Sequence, residues 1–197
     1  MGDKKHMEDK IRVALVYGSA RKGRFCDKVG GWVTEEIANH GGFSIDVIDP
    51  AIEGLLSQPE EGASRDARSL WQRMADADAF VIVTPEYNHG YPAPLKSLID
   101  SVGVEWHAKP VAFVSYGGVS GGLRAVEQLR QVFAELHTVT VSNSVSFAGA
   151  WEQFDETGKL LSPERHHRTM STLLTRLHWW AAALRTARRD VPYARAA

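Results

Sequence analysis

Short apolar runs alternate with amphipathic stripes along this chain, and that alternation restricts the fold more than any other feature. Residues 11–17 read IRVALVY and end at Gly18 and Ser19. Such a run suits a strand buried on both faces of a parallel sheet, where polar–apolar alternation is lost. Phe25, Val29, Trp32, Val33 and Ile37 then recur at helical spacing, and Gly41-Gly42 stands where a C-cap is expected. Residues 43–48 alternate apolar positions with Ser44 and Asp46, the pattern of an edge strand, closed by Asp49-Pro50. After a loop without period over 51–64, the stripe Ala67, Leu70, Trp71, Met74, Ala75 predicts a helix, and 79–84 a second fully buried strand. Leu95, Leu98, Ile99 and Val102 mark a short helix before a strand at 110–116. Leu123, Val126, Leu129, Phe133 and Leu136 mark another, before a strand at 139–147 interrupted near Asn143.

Five strands alternating with four helices imply a parallel sheet covered on both faces by right-handed crossovers. A polar stretch over 150–161 precedes a long helix after Pro163, with its stripe at Met170, Leu173, Leu174, Leu177, Trp180, Ala181 and Leu184. The chain's 197 residues suit one core. Residues 11–190 are therefore read as a single domain, with 1–10 a charged, disordered segment that has almost nothing to bury and 191–197 a tail.

Lys plus Arg number 23 against 24 Asp plus Glu, which leaves no whole-molecule field suited to nucleic acid, so any anion site must be local. The single cysteine, Cys26, excludes an internal disulfide framework and a cysteine-built metal site, and a reducing cytoplasm is the simplest home. No apolar run approaches the roughly 20 residues that cross a bilayer. No metal site and no membrane or nucleic-acid partner is expected.

In doubly wound sheets ligands lie outside the carboxyl ends of strands, so three loops carry the chemistry. The first, 18–26, offers backbone N–H groups, the Ser19 hydroxyl and the Arg21 guanidinium at a helix start, in outline a phosphate cradle. It lacks the glycine fingerprints of dinucleotide sites and P-loops. The second, 84–96, is stiffened by Pro85, Pro92 and Pro94, and its aromatic and backbone polar groups suit a flat isoalloxazine ring. The third, 115–122, contains four glycines and lets backbone approach a ligand closely.

Together the loops resemble the NADPH-dependent FMN reductase family of the flavodoxin-like superfamily, whose members include quinone, azo-dye and chromate reductases. Gly18-Ser19-Ala20-Arg21 is similar to its Gly-Ser-x-Arg phosphate motif, and Pro85-Glu86-Tyr87-Asn88 with Leu95-Lys96 and Ile99-Asp100 to its flavin-loop signature. The resemblance implies a flavodoxin-like doubly wound sheet of order 2-1-3-4-5, with the C-terminal helix as an addition. It implies bound FMN reduced by NADPH or NADH, a small-molecule acceptor (quinone, azo compound, metal oxyanion or free flavin), ping-pong turnover and a homodimer or homotetramer. Ser19, Arg21 and Phe25, with Cys26 beside them, would hold the phosphate end. Pro85, Glu86, Tyr87 and Asn88 would edge the ring, and Ser115, Gly117 and Gly118 complete the pocket. Arg24 and Cys26 stand where relatives commonly carry Ser and Asn, and Arg24 either replaces a hydroxyl contact or points to solvent.

Hydride transfer through a flavin needs no catalytic side chain, so none is assigned. An FMN electron carrier reduced by a protein partner is the alternative, disfavoured by the near-neutral charge. A third reading is a binding domain that kept the fold and lost the ligand. Elsewhere Cys26 sits near a helix start and Arg21, where a lowered pKa is conceivable but no thiol relay is assigned. His89 and Tyr91 are read as ordinary loop residues, His166-His167 as surface, and 185–189 as a solvated helix end. Trp179-Trp180 either pack in the core or cover an apolar surface.

Overall fold

The computed structural model describes residues 10–52 and 69–195. Five strands, β1 (Ile11–Tyr17), β2 (Phe43–Ile48), β3 (Ala79–Pro85), β4 (Pro110–Gly117) and β5 (Val139–Ala148), form one sheet of order β2-β1-β3-β4-β5. All four pairings are parallel. The helices are α1 (Cys26–His40), α2 (Leu70–Asp76), α3 (Ala93–Asp100), α4 (Leu123–Glu135) and α5 (Glu164–Asp190). The expected stretch 51–64 beyond Ile52, and the stripe position Ala67, lie outside the described residues, as do residues 1–9.

Local chemistry sets the helix ends. Gly41 adopts φ 79° and closes α1, a left-handed C-cap that glycine takes without a Cβ penalty. Ser69 and Gln72 form a reciprocal capping box at the start of α2. The interruption expected near Asn143 is a bulge: Val111 pairs with Thr140 and Phe113 with Ser144, so three residues of β5 oppose Ala112. Arg130 satisfies the displaced carbonyls of Val141 and Ser142, each at 3.0 Å.

Successive residues of each central strand feed opposite cores. Val13, Leu15, Val81, Val83, Ala112 and Val114 pack under α1 and α5. Ala14, Val16, Phe80, Ile82, Val111 and Phe113 pack under α2, α3 and α4. The crossovers from β1 and β3 therefore lie on opposite faces, and the switch point falls between these neighbouring strands, above the 18–25 and 86–92 loops.

Three features of α5 differ from expectation. Trp180 is exposed, as is Trp179, because the buried stripe runs Met170, Leu173, Leu174, Leu177, Ala181 and Trp180 sits one position, about 100°, off it. His166 is not a surface residue: its ring stacks on Phe147 at 4.5 Å, and its Nδ1 is buried. The end of the helix is not simply solvated, since Arg185 and Arg188 both reach Asp78 at 3.4 Å. Among the described residues no helix is long and apolar enough to cross a membrane.

Candidate functional site

The first loop leaves β1 where only a glycine fits. A Cβ on Gly18 would stand 2.8 Å from the Val83 carbonyl that its own N–H bonds at 2.7 Å. Ser19 follows, wholly buried, its Oγ 2.9 Å from the Tyr87 phenol, which joins the first loop to the second. Arg21 is exposed and lies over the Tyr87 ring at 3.7 Å, a cation–π contact that holds the guanidinium at the switch point. Phe25 is the N-cap of α1 without a side-chain cap, and its ring packs against Tyr116 and Phe154. The N–H groups of Ala20, Lys22, Gly23, Arg24 and Phe25 bond no other described residue. An uncapped helix start preceded by free donors and a free cation is what a phosphate dianion requires.

Arg24 settles in neither of the expected ways. It turns inward to Asp49 at the end of β2, with Nη1 and Nη2 on the two carboxylate oxygens at 2.6 and 2.5 Å. The same guanidinium donates to the Ser19 carbonyl. Its side chain is only 7% exposed, and the hydrogen bond to Asp49, opposed by burial, raises its pKa further while the Asp49 carboxyl is held below the usual range. Arg24 therefore braces the cradle and is not free for a ligand. Cys26 is likewise corrected: its thiol is buried against the Val83 carbonyl at 3.7 Å, and burial pushes its pKa up, opposite to an activated thiolate. Only its backbone faces the cradle's helix start.

The second loop contains a tight turn in which Asn88 and His89 take φ 51° and 67° between reciprocal backbone bonds of Tyr87 and Gly90. Asparagine tolerates that left-handed geometry better than most residues. His89 is exposed and Tyr91 packs partly against the α3 side of the core. Glu86, expected at the ring edge, is a strut: its carboxylate accepts from Ser120 Oγ at 2.7 Å and Arg124 Nε at 2.5 Å. Burial alone would raise its pKa, but those donors outweigh it and hold the group below the usual carboxylate range.

The third loop is built on Ser115, which is buried with its hydroxyl spent on the Gly121 carbonyl at 2.8 Å, so it supports the pocket instead of lining it. Gly121 and Gly122 both have left-handed φ, and a Cβ on Gly121 would collide with Ser146 Oγ at 2.2 Å. A Cβ on Gly117 would fill the gap between this loop and the second, 3.3 Å from the Gly122 nitrogen and 3.7 Å from Glu86 Cβ. Gly118 faces open space. The structure thus brings together Ser19, Arg21, Tyr87, Glu86 and Gly117 and withdraws the side chains of Cys26 and Ser115. Sequence reasoning missed Asp49, Ser120 and Arg124 as the supports; only the pairing of each with an oppositely charged or hydroxylic loop residue could have pointed to them. Among the described residues no group of three or more His, Cys, Asp or Glu could hold a metal ion.

Strand order and switch point define the flavodoxin-like class of doubly wound proteins, and the donors and the glycine-lined gap fit a phosphorylated flat ligand such as FMN. The chain belongs to the NADPH-dependent FMN reductase family, whose profile matches residues 11–152. The NAD(P)H-dependent FMN reductase of Schizosaccharomyces pombe is 35% identical over 130 residues, 61% of this chain and 64% of that protein. The match thus spans a little under two thirds of that relative's length. The quinone reductase of Escherichia coli K12 is 33% identical over 154 residues, 73% of this chain and 79% of its own. The fold is similar to that of the flavoenzyme NAD(P)H:(acceptor) oxidoreductase from Paracoccus denitrificans, with a TM-score of 0.66 at 20% identity, covering 88% of this chain and 98% of that one.

Proposed function

We propose that residues 11–190 form one FMN-binding unit that passes electrons from NADPH or NADH to a small acceptor, of the quinone, azo, metal-oxyanion or free-flavin kind. The observation that carries this reading is the junction of Ser19, Arg21 and Tyr87, which sets a cation and free N–H donors beside a rigid aromatic loop at the switch point. When bound, FMN supplies the two-electron chemistry, taking a hydride from the nicotinamide and passing reducing equivalents to the acceptor.

The chain's own work is placement. Arg21 and the N–H groups through Phe25 and Cys26 bind the phosphate, with Phe25 walling that end and the buried Ser19 tying the loop to Tyr87. Arg24 and Asp49 keep the loop closed around it. Pro85, Glu86, Tyr87 and Asn88 set the ring edge through a backbone that the Glu86 strut ties to the third loop. Gly117 and Gly118 keep side chains away from the ring, and Ser115 holds their loop in register. No side chain is asked to move a proton. Donor and acceptor would use the same space in turn, which gives ping-pong kinetics, in a cytoplasmic homodimer or homotetramer.

The test is an absorbance spectrum of the purified protein before and after anaerobic NADPH. Flavin absorbance bands that bleach are expected. Bands that persist with both nicotinamides would leave an electron carrier reduced by a protein. A protein that stays colourless after added FMN and dialysis would remove the flavin assignment.

A further inference from the structure

A cleft of about 430 Å³ opens beside the third loop, between the free edge of β5 and the start of α5. Ser120 and Leu123 form its near end, Ser144 and Ser146 its floor, and Arg165 and His166 its far wall. Since β5 is an edge strand, its outer backbone groups have no neighbouring strand to bond. His166 is fixed by its stack on Phe147, and its buried Nδ1 has no hydrogen-bond partner among the described residues. Burial lowers its pKa, so the imidazole is neutral near pH 7 and the positive charge of the cleft is that of Arg165.

That charge is unspent. Arg24, Arg73, Arg124 and Arg188 are each held by a carboxylate, whereas Arg165 meets none among the described residues. Ser120 and Ser146 spend their hydroxyl protons on Glu86 and the Gly121 carbonyl, so the charge that suits this cleft to a phosphate monoester is that of Arg165, whose guanidinium can grip it with two parallel N–H bonds. The near end belongs to the loop that carries Gly117 and Gly118, so the cleft and the proposed ring site share that loop. Its size is in the range of small-ligand sites. Arg165 and His166 lie beyond residues 11–152, so this wall is supplied by the added helix and not by the family region.

We propose that the cleft receives the phosphoadenosine end of the nicotinamide donor, and that Arg165 binds its 2′-phosphate and so selects NADPH over NADH. This inference rests on the donor reading above. An anionic acceptor would offer the cleft similar chemistry, and the experiment separates the two. Binding of adenosine 2′,5′-bisphosphate and of AMP to the flavin-loaded protein is measured by calorimetry, with no turnover involved. The bisphosphate is expected to bind at least about 10-fold more tightly than AMP, and Arg165→Ala to abolish the difference, the value of one charged hydrogen-bonded contact. Arg168→Ala, a neighbouring exposed arginine outside the cleft, should leave it intact. In turnover, Arg165→Ala should raise the KM for NADPH by a similar factor and leave NADH and kcat unchanged.

Equal binding of the two nucleotides by the wild type, discrimination that survives in Arg165→Ala, or a raised KM for the acceptor alone would each overturn the assignment. Bleaching by NADPH and NADH alike with no discrimination would do so while leaving the reductase reading in place. Discrimination without bleaching by either would support the nucleotide site and remove the reductase reading.

Discussion

The two ends of the sheet use the same residue types to opposite effect. At the amino end, Asp78 accepts from the Arg12 backbone at 3.0 Å and is flanked by Arg185 and Arg188 at 3.4 Å, while Arg188 also caps the Ala108 carbonyl at 2.6 Å. Lys109 is buried and spends its ammonium on the Met74 and Ala75 carbonyls at 2.8 and 2.9 Å, where the end of α2 favours a cation. At the carboxyl end the supports are also paired, Arg24 with Asp49 and Arg124 with Glu86, but Arg21 lies over the Tyr87 ring and meets no carboxylate among the described residues. Charges answered within the chain hold the structure, and charges left unanswered mark where a ligand is expected.

Several substitutions would break or sharpen that contrast. The largest effect is expected from Asp78→Ala, which removes the one carboxylate shared by the Arg185 and Arg188 guanidinium groups and the Arg12 N–H and should cost about 3 kcal/mol in urea unfolding. FMN affinity should not change. Arg21→Ala should do the reverse, raising the Kd for FMN about 30-fold in a fluorescence titration, the loss of one charge-assisted contact, with the unfolding midpoint unmoved.

Asp49→Asn tests a support at the carboxyl end and should affect both quantities modestly, by about 1–2 kcal/mol in stability and a few-fold in FMN affinity. Its pH dependence has a definite sign. The hydrogen bond from Arg24 lowers the folded pKa of Asp49 below 3.8, so its contribution is complete above that value and fades as pH falls through the lowered one. Wild type should therefore show an acid loss of stability in that window that Asp49→Asn lacks.

Lys109→Met should give the smallest effect near neutral pH, and its pH dependence has the same sign as that of Asp49 but falls in a basic window. Burial first, and then the Arg188 charge, pulls the Lys109 pKa from 10.5 down to about 8. Between those values the unfolded chain binds the proton more strongly, so the folded form gains stability as pH rises from about 8 to 10.5. The difference between wild-type and Lys109→Met stability curves should rise across that window and be flat below it.

Much of the fold was legible because buried strands and helices write their periods into consecutive residues. The strand order, the Gly41 cap and the bulge at Asn143 follow from local signals joined to the resemblance. The three loops were legible for the same reason, since glycine, proline and a helix start announce a special backbone path. Side-chain destinations were not. Arg24 was open between ligand and solvent because nothing near it in the chain shows that Asp49, 25 residues on, closes on it. Arg188 looked like a solvated helix end because its acceptor, Asp78, lies 110 residues away. Cys26 and Ser115 sit where a motif places ligand contacts, yet one packs against Val83 and the other holds Gly121.

The sequence by itself determined the alternation of buried strands and helices and singled out three unusual loops, because period, turn chemistry and loop composition depend on neighbours within a few residues, while the strand order came from the resemblance those loops carry. The tertiary structure alone decided which cations are consumed and which are free. That choice depends on distances between segments far apart in the chain, and a guanidinium reads the same in a sequence whether or not a carboxylate awaits it.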